Sequence, residues 1–140
     1  MRTPGRGFFG AGATSYVVVG LVHVARQLQG RPAEAEPAHE AMLAFSVTAL
    51  GMTWSLADAY DALSSSFASL SITVGALDLY VLRALRPTGA ALAGLAVVSG
   101  LGALALAAIT GFGRVAPPFY LYALTTTLFV VAAVRSRARA

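Results

Sequence analysis

The sequence contains neither cysteine nor lysine, and it is poor in charge. Without cysteine the chain has no disulfide bond, no thiol nucleophile and no thiolate metal ligand. Charged residues make up 11% of the chain, whereas an average globular protein has roughly 25%. This is not the composition of a soluble domain.

Hydrophobic residues make up 57% of the 140 residues, and they form long uncharged runs. These runs cover residues 7–25, 41–57, 62–77, 87–113 and 115–134. A helix needs about 20 mostly apolar residues to cross the hydrocarbon core of a bilayer. The chain is therefore predicted to be an integral membrane protein with one membrane domain, residues 1–140.

The basic residues are ten arginines, which stand at the ends of the apolar runs and leave a net charge of +4. A nucleic-acid-binding protein would gather such residues on one cationic face. Arginines at the ends of apolar runs instead favour contact with lipid headgroups. The predicted partner is the lipid bilayer and not nucleic acid.

Four stretches are predicted to cross the membrane as helices, at about residues 7–27, 62–85, 89–111 and 116–134. Pro87 and Gly89 separate the second helix from the third, and Pro117 opens the fourth, where proline is tolerated. The first stretch resembles a signal peptide, but its uncharged run of 19 residues exceeds the roughly 7–15 residues of such a segment. We expect it to be retained, which predicts an all-α, polytopic transmembrane four-helix bundle.

The run at residues 41–57 is harder to assign, because its 17 residues lie at the lower limit for a span. One apolar line at helical spacing follows it: Leu43, Val47, Leu50 and Trp54. This line predicts an additional interfacial or re-entrant helix over about residues 40–57. A fifth span is the alternative.

The distribution of arginine supports four spans through the positive-inside rule. With a cytoplasmic N-terminus, seven arginines lie inside: Arg2, Arg6, Arg83, Arg86, Arg135, Arg137 and Arg139. The other three lie outside with five of the six acidic residues. A reversed five-span order also keeps seven arginines inside, so the count alone leaves both orders open.

The third predicted helix carries small residues at four-residue spacing: Ser99, Ala103, Ala107 and Gly111, beside Ala96 and Gly100. Small residues allow helices to approach closely in lipid. The pattern favours a compact bundle within one chain, and the alternative is an interface in a homo-oligomer or a larger membrane complex.

Asp78 lies within the second predicted span, five residues before Arg83. Ionisable residues inside a membrane commonly mark proton or ion pathways. Hydroxyl groups occupy the same depth in other helices: Thr14, Ser15, Thr126 and Thr127. Asp78 is thus a candidate functional residue, and the alternative is a shallow side chain that meets Arg83 or Arg86.

A second group of polar candidates is predicted at the outer edge of the membrane. His23 and Arg26 end the first helix, and Asp58 and Asp61 precede the second span. A histidine near carboxylates can titrate around neutral pH, and an arginine can bind a carboxylate or phosphate. The alternative is a set of interfacial ion pairs that hold the loop.

No catalytic residue, cofactor or metal is predicted. A bis-histidine haem needs two histidines inside the membrane, and only His23 qualifies. Zinc would depend on Glu36, His39 and Glu40 in an acidic loop. The sequence contains no convincing strand, and Tyr120 and Tyr122 are typical of an aromatic belt at the interface.

Two segments, "FFGAGATSYVVVGLVHV" and "DAYDALSSSFASLSITVGALDLYVLRAL", resemble a group of small bacterial membrane proteins of unknown function. That group is distantly similar to the DoxX-like four-helix proteins. The resemblance implies a four-helix bundle of the bacterial inner membrane, and it implies no activity or catalytic residues. With the charge distribution, it predicts a multi-pass protein with both termini in the cytoplasm.

The expected function is a structural or accessory component of the membrane rather than an enzyme. The alternative is a small transporter or a proton-coupled membrane enzyme. It would use Asp78, or the group of His23, Asp58 and Asp61.

Single cysteines provide a test of the topology, because the native chain has none. We introduce them at Ala44, Ser65 or Thr88 and expose intact cells to a membrane-impermeant thiol reagent. With four spans and a cytoplasmic N-terminus, we expect labelling at positions 44 and 65 but not at 88. Labelling at 88 and 44 without 65 would mean that residues 41–57 cross the membrane and that the N-terminus is inside.

Overall fold

The structure, a computed structural model, describes residues 5–30, 32–112 and 116–137. Its helices are α1 (Arg6–Leu28), α2 (Glu36–Ala44), α3 (Leu56–Ala84), α4 (Gly89–Phe112) and α5 (Ala116–Arg137), with a short 3-10 helix at Ala33–Ala35. Two strands, β1 (Ser46–Ala49) and β2 (Met52–Ser55), lie between α2 and α3. Four helices, α1, α3, α4 and α5, are long and apolar enough to cross a membrane. The predicted all-α, four-helix transmembrane fold is confirmed.

The described chain forms two compact units. The first contains the residues up to Val19 and those from Ser71 onward, and the second contains Gly20–Leu70. The helices α1 and α3 each contribute residues to both units.

In the first unit, the buried residues of each helix recur every three or four positions, which is the spacing of one helix face. They include Phe9, Ala13 and Tyr16 on α1, Ser71, Asp78 and Leu82 on α3, Leu92, Ala96, Ser99 and Ala103 on α4, and Tyr122, Thr125, Phe129 and Ala132 on α5. The opposite faces expose large apolar side chains such as Val18, Leu77 and Leu101, as expected for helices in contact with lipid.

A close approach between helices in this unit is at Gly75 of α3, which packs against α1. A Cβ atom at this position would lie 2.6 Å from the carbonyl oxygen of Ala13 and 2.9 Å from Cβ of Tyr16. Backbone and side-chain stems of α1 fill the space that any other residue would need. Glycine is therefore required here by the approach of the two helices.

The helices α4 and α5 run antiparallel, as successive contacts along them show. Gly100 packs against Phe129, and Gly111 packs against Phe119, with hypothetical Cβ distances of 3.2 and 3.1 Å. Ala96, Ser99 and Ala103 are buried within the single chain. The small residues of α4 therefore serve packing between helices of one chain.

Arginine side chains hold one end of the first unit. Arg6 at the start of α1 donates a 2.6 Å hydrogen bond to the carbonyl oxygen of Leu82, one of the last four carbonyls of α3, which lack partners within their own helix. The Arg135 guanidinium of α5 lies 5.2 Å from the centre of the Phe8 ring. The start of α1 and the ends of α3 and α5 thus meet, while Arg2 and Arg139 lie outside the described residues.

The second unit corrects the expected helix over residues 40–57. Helix α2 ends at Ala44, and β1 and β2 then pair antiparallel with Ala49 opposite Met52. The turn places Leu50 at φ 53° and Gly51 at φ 76°, and two positive φ angles in a two-residue loop are characteristic of a type I′ hairpin. The expectation that the chain has no strand was wrong. The turn of this hairpin lies within an uncharged apolar run, which was interpreted as one helix. The run at residues 41–57 thus forms no spanning helix.

We predict that Gly75→Ala destabilises the bundle while Gly94→Ala, its control, does not. Position 75 has no room for a methyl group, whereas a Cβ at Gly94 in α4 would have nothing within 4 Å. Overpacking of this kind costs about 1–3 kcal/mol, and alanine in an open helical position is neutral or stabilising by up to about 1 kcal/mol. The free energy of unfolding in detergent micelles measures both, and equal effects of the two variants would contradict the close approach.

Candidate functional site

The first candidate, Asp78, lies in the interior of the first unit. It follows Gly75 and precedes Leu82 on the buried face of α3, and its side chain is only 8% exposed. The alternative of a shallow side chain directed to the interface predicted an exposed residue. Its position on the same helix face as Gly75 explains the burial, because that face packs against the neighbouring helices.

The Asp78 carboxyl group has an incomplete set of hydrogen bonds. Ser99 of α4 interacts with it through its side-chain hydroxyl. The carboxyl oxygen Oδ2 is buried and has no hydrogen-bond partner among the described residues. A buried polar atom without a partner costs about 1–3 kcal/mol, so this oxygen is a site at which a proton or a hydrogen-bond donor would be stabilising.

Tyr16 of α1 contacts the same residue of α4. Its hydroxyl donates a 3.1 Å hydrogen bond to the carbonyl oxygen of Ser99, the residue whose side chain bonds to Asp78. A Cβ at Gly102 would lie 3.2 Å from this hydroxyl, so glycine makes room for the tyrosine. We call Tyr16, Asp78 and Ser99 the Asp78 cluster.

The ring of Tyr16 connects the Asp78 cluster to α5. Its centroid lies 6.2 Å from that of Tyr122 and 5.9 Å from that of Phe129. The Tyr122 hydroxyl in turn forms a 2.9 Å hydrogen bond with Ser71 of α3. Tyr122 is therefore a core residue, 4% exposed, and its assignment to an aromatic belt was wrong, whereas Tyr120 is 67% exposed.

The hydroxyl groups expected around Asp78 are occupied elsewhere. Ser15 and Thr125 form a 2.6 Å hydrogen bond between α1 and α5. Thr126 and Thr127 donate to carbonyl oxygens of their own helix, and Thr14 is exposed. Depth along each helix did not identify the partner of Asp78, because the rotation of each helix decides which hydroxyl reaches the carboxyl group.

Sequence reasoning named Ser99 only as a packing residue and did not single out Tyr16 as a candidate. A signal for both was present in the spacing of buried positions. Tyr16 lies seven residues after Phe9, and Ser99 lies seven after Leu92, so each is two turns along the same buried face. That spacing identifies core positions, but it does not tell which helix faces which.

Asp58 of the second group caps a helix. The backbone N–H and the hydroxyl of Ser55 both donate to Oδ2 of Asp58, at 2.8 and 2.7 Å, and the N–H of Asp58 donates to the Ser55 hydroxyl at 3.1 Å. This reciprocal pattern is a capping box at the start of α3. His39 of α2 interacts electrostatically with the same carboxylate.

The other members of the second group stand near the surface of their unit. His23 is half-buried in α1, and Arg26 and Asp61 are exposed. Their joint role as a binding group stays a prediction. Within residues 5–30, 32–112 and 116–137, no three histidine or acidic side chains are grouped so as to hold a metal ion.

Comparison with protein-family models, curated proteins and solved structures finds no match to this chain. The resemblance to the DoxX-like proteins therefore stays a prediction, and the candidate site depends on its own geometry.

We predict that Ser55→Ala and Asp58→Ala each lower the free energy of unfolding by about 1 kcal/mol, the usual cost of a lost cap. Because each side chain bonds the other residue, the double variant should cost little more than either single variant. Chemical unfolding of the three variants in micelles measures this coupling. Additive losses would mean that the two side chains act separately.

Proposed function

We propose that this protein is a small multi-pass membrane protein whose activity depends on reversible proton binding at Asp78, as a transporter or a proton-coupled membrane enzyme. The observation that carries the proposal is the buried Oδ2 atom of Asp78, which has no partner among the described residues. Acidic residues buried within membrane helices commonly bind and release protons.

Two features of the Asp78 cluster suit this role. Burial disfavours the charged form of a carboxyl group, so a neighbouring charge or a bound substrate can shift its protonation. The hydroxyl group of Ser99 bonds to it, and a hydroxyl both donates and accepts hydrogen bonds. Ser99 can therefore stabilise Asp78 in either protonation state.

The orientation is part of the proposal. In the first unit, Arg6 bonds to the carbonyl oxygen of Leu82, and Arg135 lies on Phe8, so these arginines gather at one end. The positive-inside rule assigns such an end to the cytoplasm. We propose a bacterial inner-membrane protein with both termini in the cytoplasm, and Asp78 then lies about 9 Å from the end of α3 by the helical rise.

A structural or accessory role is the second candidate, and the pairing of the other buried hydroxyl groups favours it. Ser15 bonds to Thr125 and Ser71 bonds to Tyr122. These pairs need no ligand, and they join α1, α3 and α5 as a scaffold would. The unpartnered oxygen of Asp78 would then only destabilise the fold, without a function.

The first test is infrared spectroscopy of the protein in lipid, with Asp78→Asn as the variant. We expect a band from a protonated carboxyl group that changes reversibly with pH and is missing in Asp78→Asn. Asp61→Asn, which removes an exposed carboxylate of the same helix, is the control and should retain the band. A band unchanged by Asp78→Asn would overturn proton binding at this residue.

The second test is proton flux in liposomes that contain the protein and a trapped pH-sensitive dye. Under an imposed membrane potential, we expect acidification that Asp78→Asn reduces at least tenfold and Asp61→Asn leaves unchanged. A protonated Asp78 without flux would favour the membrane-enzyme form of the proposal. Absence of both signals would leave the accessory role as the better explanation.

A further inference from the structure

A groove between α4 and α5 lies on the outer surface of the first unit, away from the Asp78 cluster. Its volume is about 280 Å³, and apolar side chains such as Leu101, Leu104, Val130 and Val134 line it. Gly100 packs directly on Phe129 at its base. A Cβ at Gly100 would lie 3.2 Å from Cβ of Phe129, so glycine lets the two helices come close at the base of the groove.

Apart from Arg137, the side chains that line the groove present no free hydrogen-bond donor to an occupant. The one hydroxyl in the lining, that of Thr126, donates a 2.8 Å hydrogen bond to the carbonyl oxygen of Tyr122 in its own helix. The part of a ligand that lies along these walls must therefore be apolar, since an unpaired polar group would be costly there.

A positive charge stands at one end of the groove. Arg137, the last residue of α5, is exposed and belongs to the lining. The sequence from residue 79 to 140 contains six arginines and no acidic residue, so α4 and α5 offer no carboxylate to pair with it. Arg135, two residues earlier, is directed to Phe8 of α1. An anion that complements Arg137 must come from outside these helices.

The length of the groove matches one leaflet of a bilayer. Its lining on α5 extends from Thr126 to Arg137, which is about 16 Å at the helical rise. Half of a hydrocarbon core of about 30 Å is about 15 Å. A chain that begins beside Arg137 at the headgroup level would end near the middle of the membrane, beside Leu104 and Thr126.

We propose that this groove binds an anionic phospholipid, with an acyl chain between α4 and α5 and the phosphate group on Arg137. The apolar walls and the length suit the acyl chain, and the exposed guanidinium of Arg137 selects the charge of the headgroup. The inference is independent of proton binding at Asp78, because no residue of that cluster lines the groove.

The test is native mass spectrometry of the full chain released from micelles that contain phosphatidylglycerol or phosphatidylcholine with identical acyl chains. We expect the protein to retain phosphatidylglycerol preferentially. Arg137→Gln should weaken this binding about fivefold, as loss of about 1 kcal/mol per arginine near an anionic surface implies, and leave phosphatidylcholine unchanged. Arg135→Gln, with the same change of charge, is the matched control and should retain the preference.

A second variant tests the place of the acyl chain. Val130→Trp fills the groove from a side chain that is 54% exposed, so it should fold and lose both lipids. Retention of phosphatidylglycerol by Val130→Trp, or equal losses in Arg137→Gln and Arg135→Gln, would overturn the proposal. The proposal would also be overturned if the native protein showed no lipid preference and formed dimers that Val130→Trp abolishes. That result would show that a second copy of the chain occupies the groove.

Discussion

The approach of α1 to α3 at Gly75 is the constraint on which the first unit depends. Since a Cβ at this position would meet the backbone of Ala13 and the stem of Tyr16, only glycine allows the two helices to come so close. This contact sets the rotation of α1 and so directs Tyr16 into the core, where its hydroxyl reaches the carbonyl oxygen of Ser99 on α4. The absence of a side chain at Gly75 thus affects the packing of α1, α3 and α4.

Polar contacts matter more here than in a soluble bundle, because lipid removes the hydrophobic drive for helices to associate. The buried pairs Ser15–Thr125 and Ser71–Tyr122 each join a different helix to α5. Such pairs fix how each helix is rotated, since a hydroxyl turned toward lipid would lose its partner. Asp78 is the exception, because one of its oxygens is buried without a partner in the described part of the chain. Because these other polar groups have partners, the unpartnered oxygen of Asp78 points to a binding role.

The two groups of polar candidates differ in what their surroundings require of them. In the second unit, Ser55 at the start of the same helix donates two hydrogen bonds to Oδ2 of Asp58, so local structure explains this carboxylate. Asp78 sits in the middle of a helix, where no backbone N–H is free to bond to it. Its partners must come from other helices or from a ligand. Capping therefore cannot explain Asp78, and a functional role is the better explanation.

Composition and periodicity alone determined the class of the protein and the number of long helices, because lipid demands long apolar helices whatever their neighbours are. They did not give every limit, since α3 begins at Leu56 and α5 ends at Arg137. They also determined that Asp78 lies inside a membrane helix. Only the tertiary structure decided which groups surround it, because the choice of Ser99 over Ser15 depends on the rotation of each helix, and the sequence period does not specify rotation. The structure also revealed the hairpin at residues 46–55, whose turn has positive φ angles at Leu50 and Gly51. An apolar run of that length suits a strand pair as well as a helix, and only backbone geometry distinguishes them.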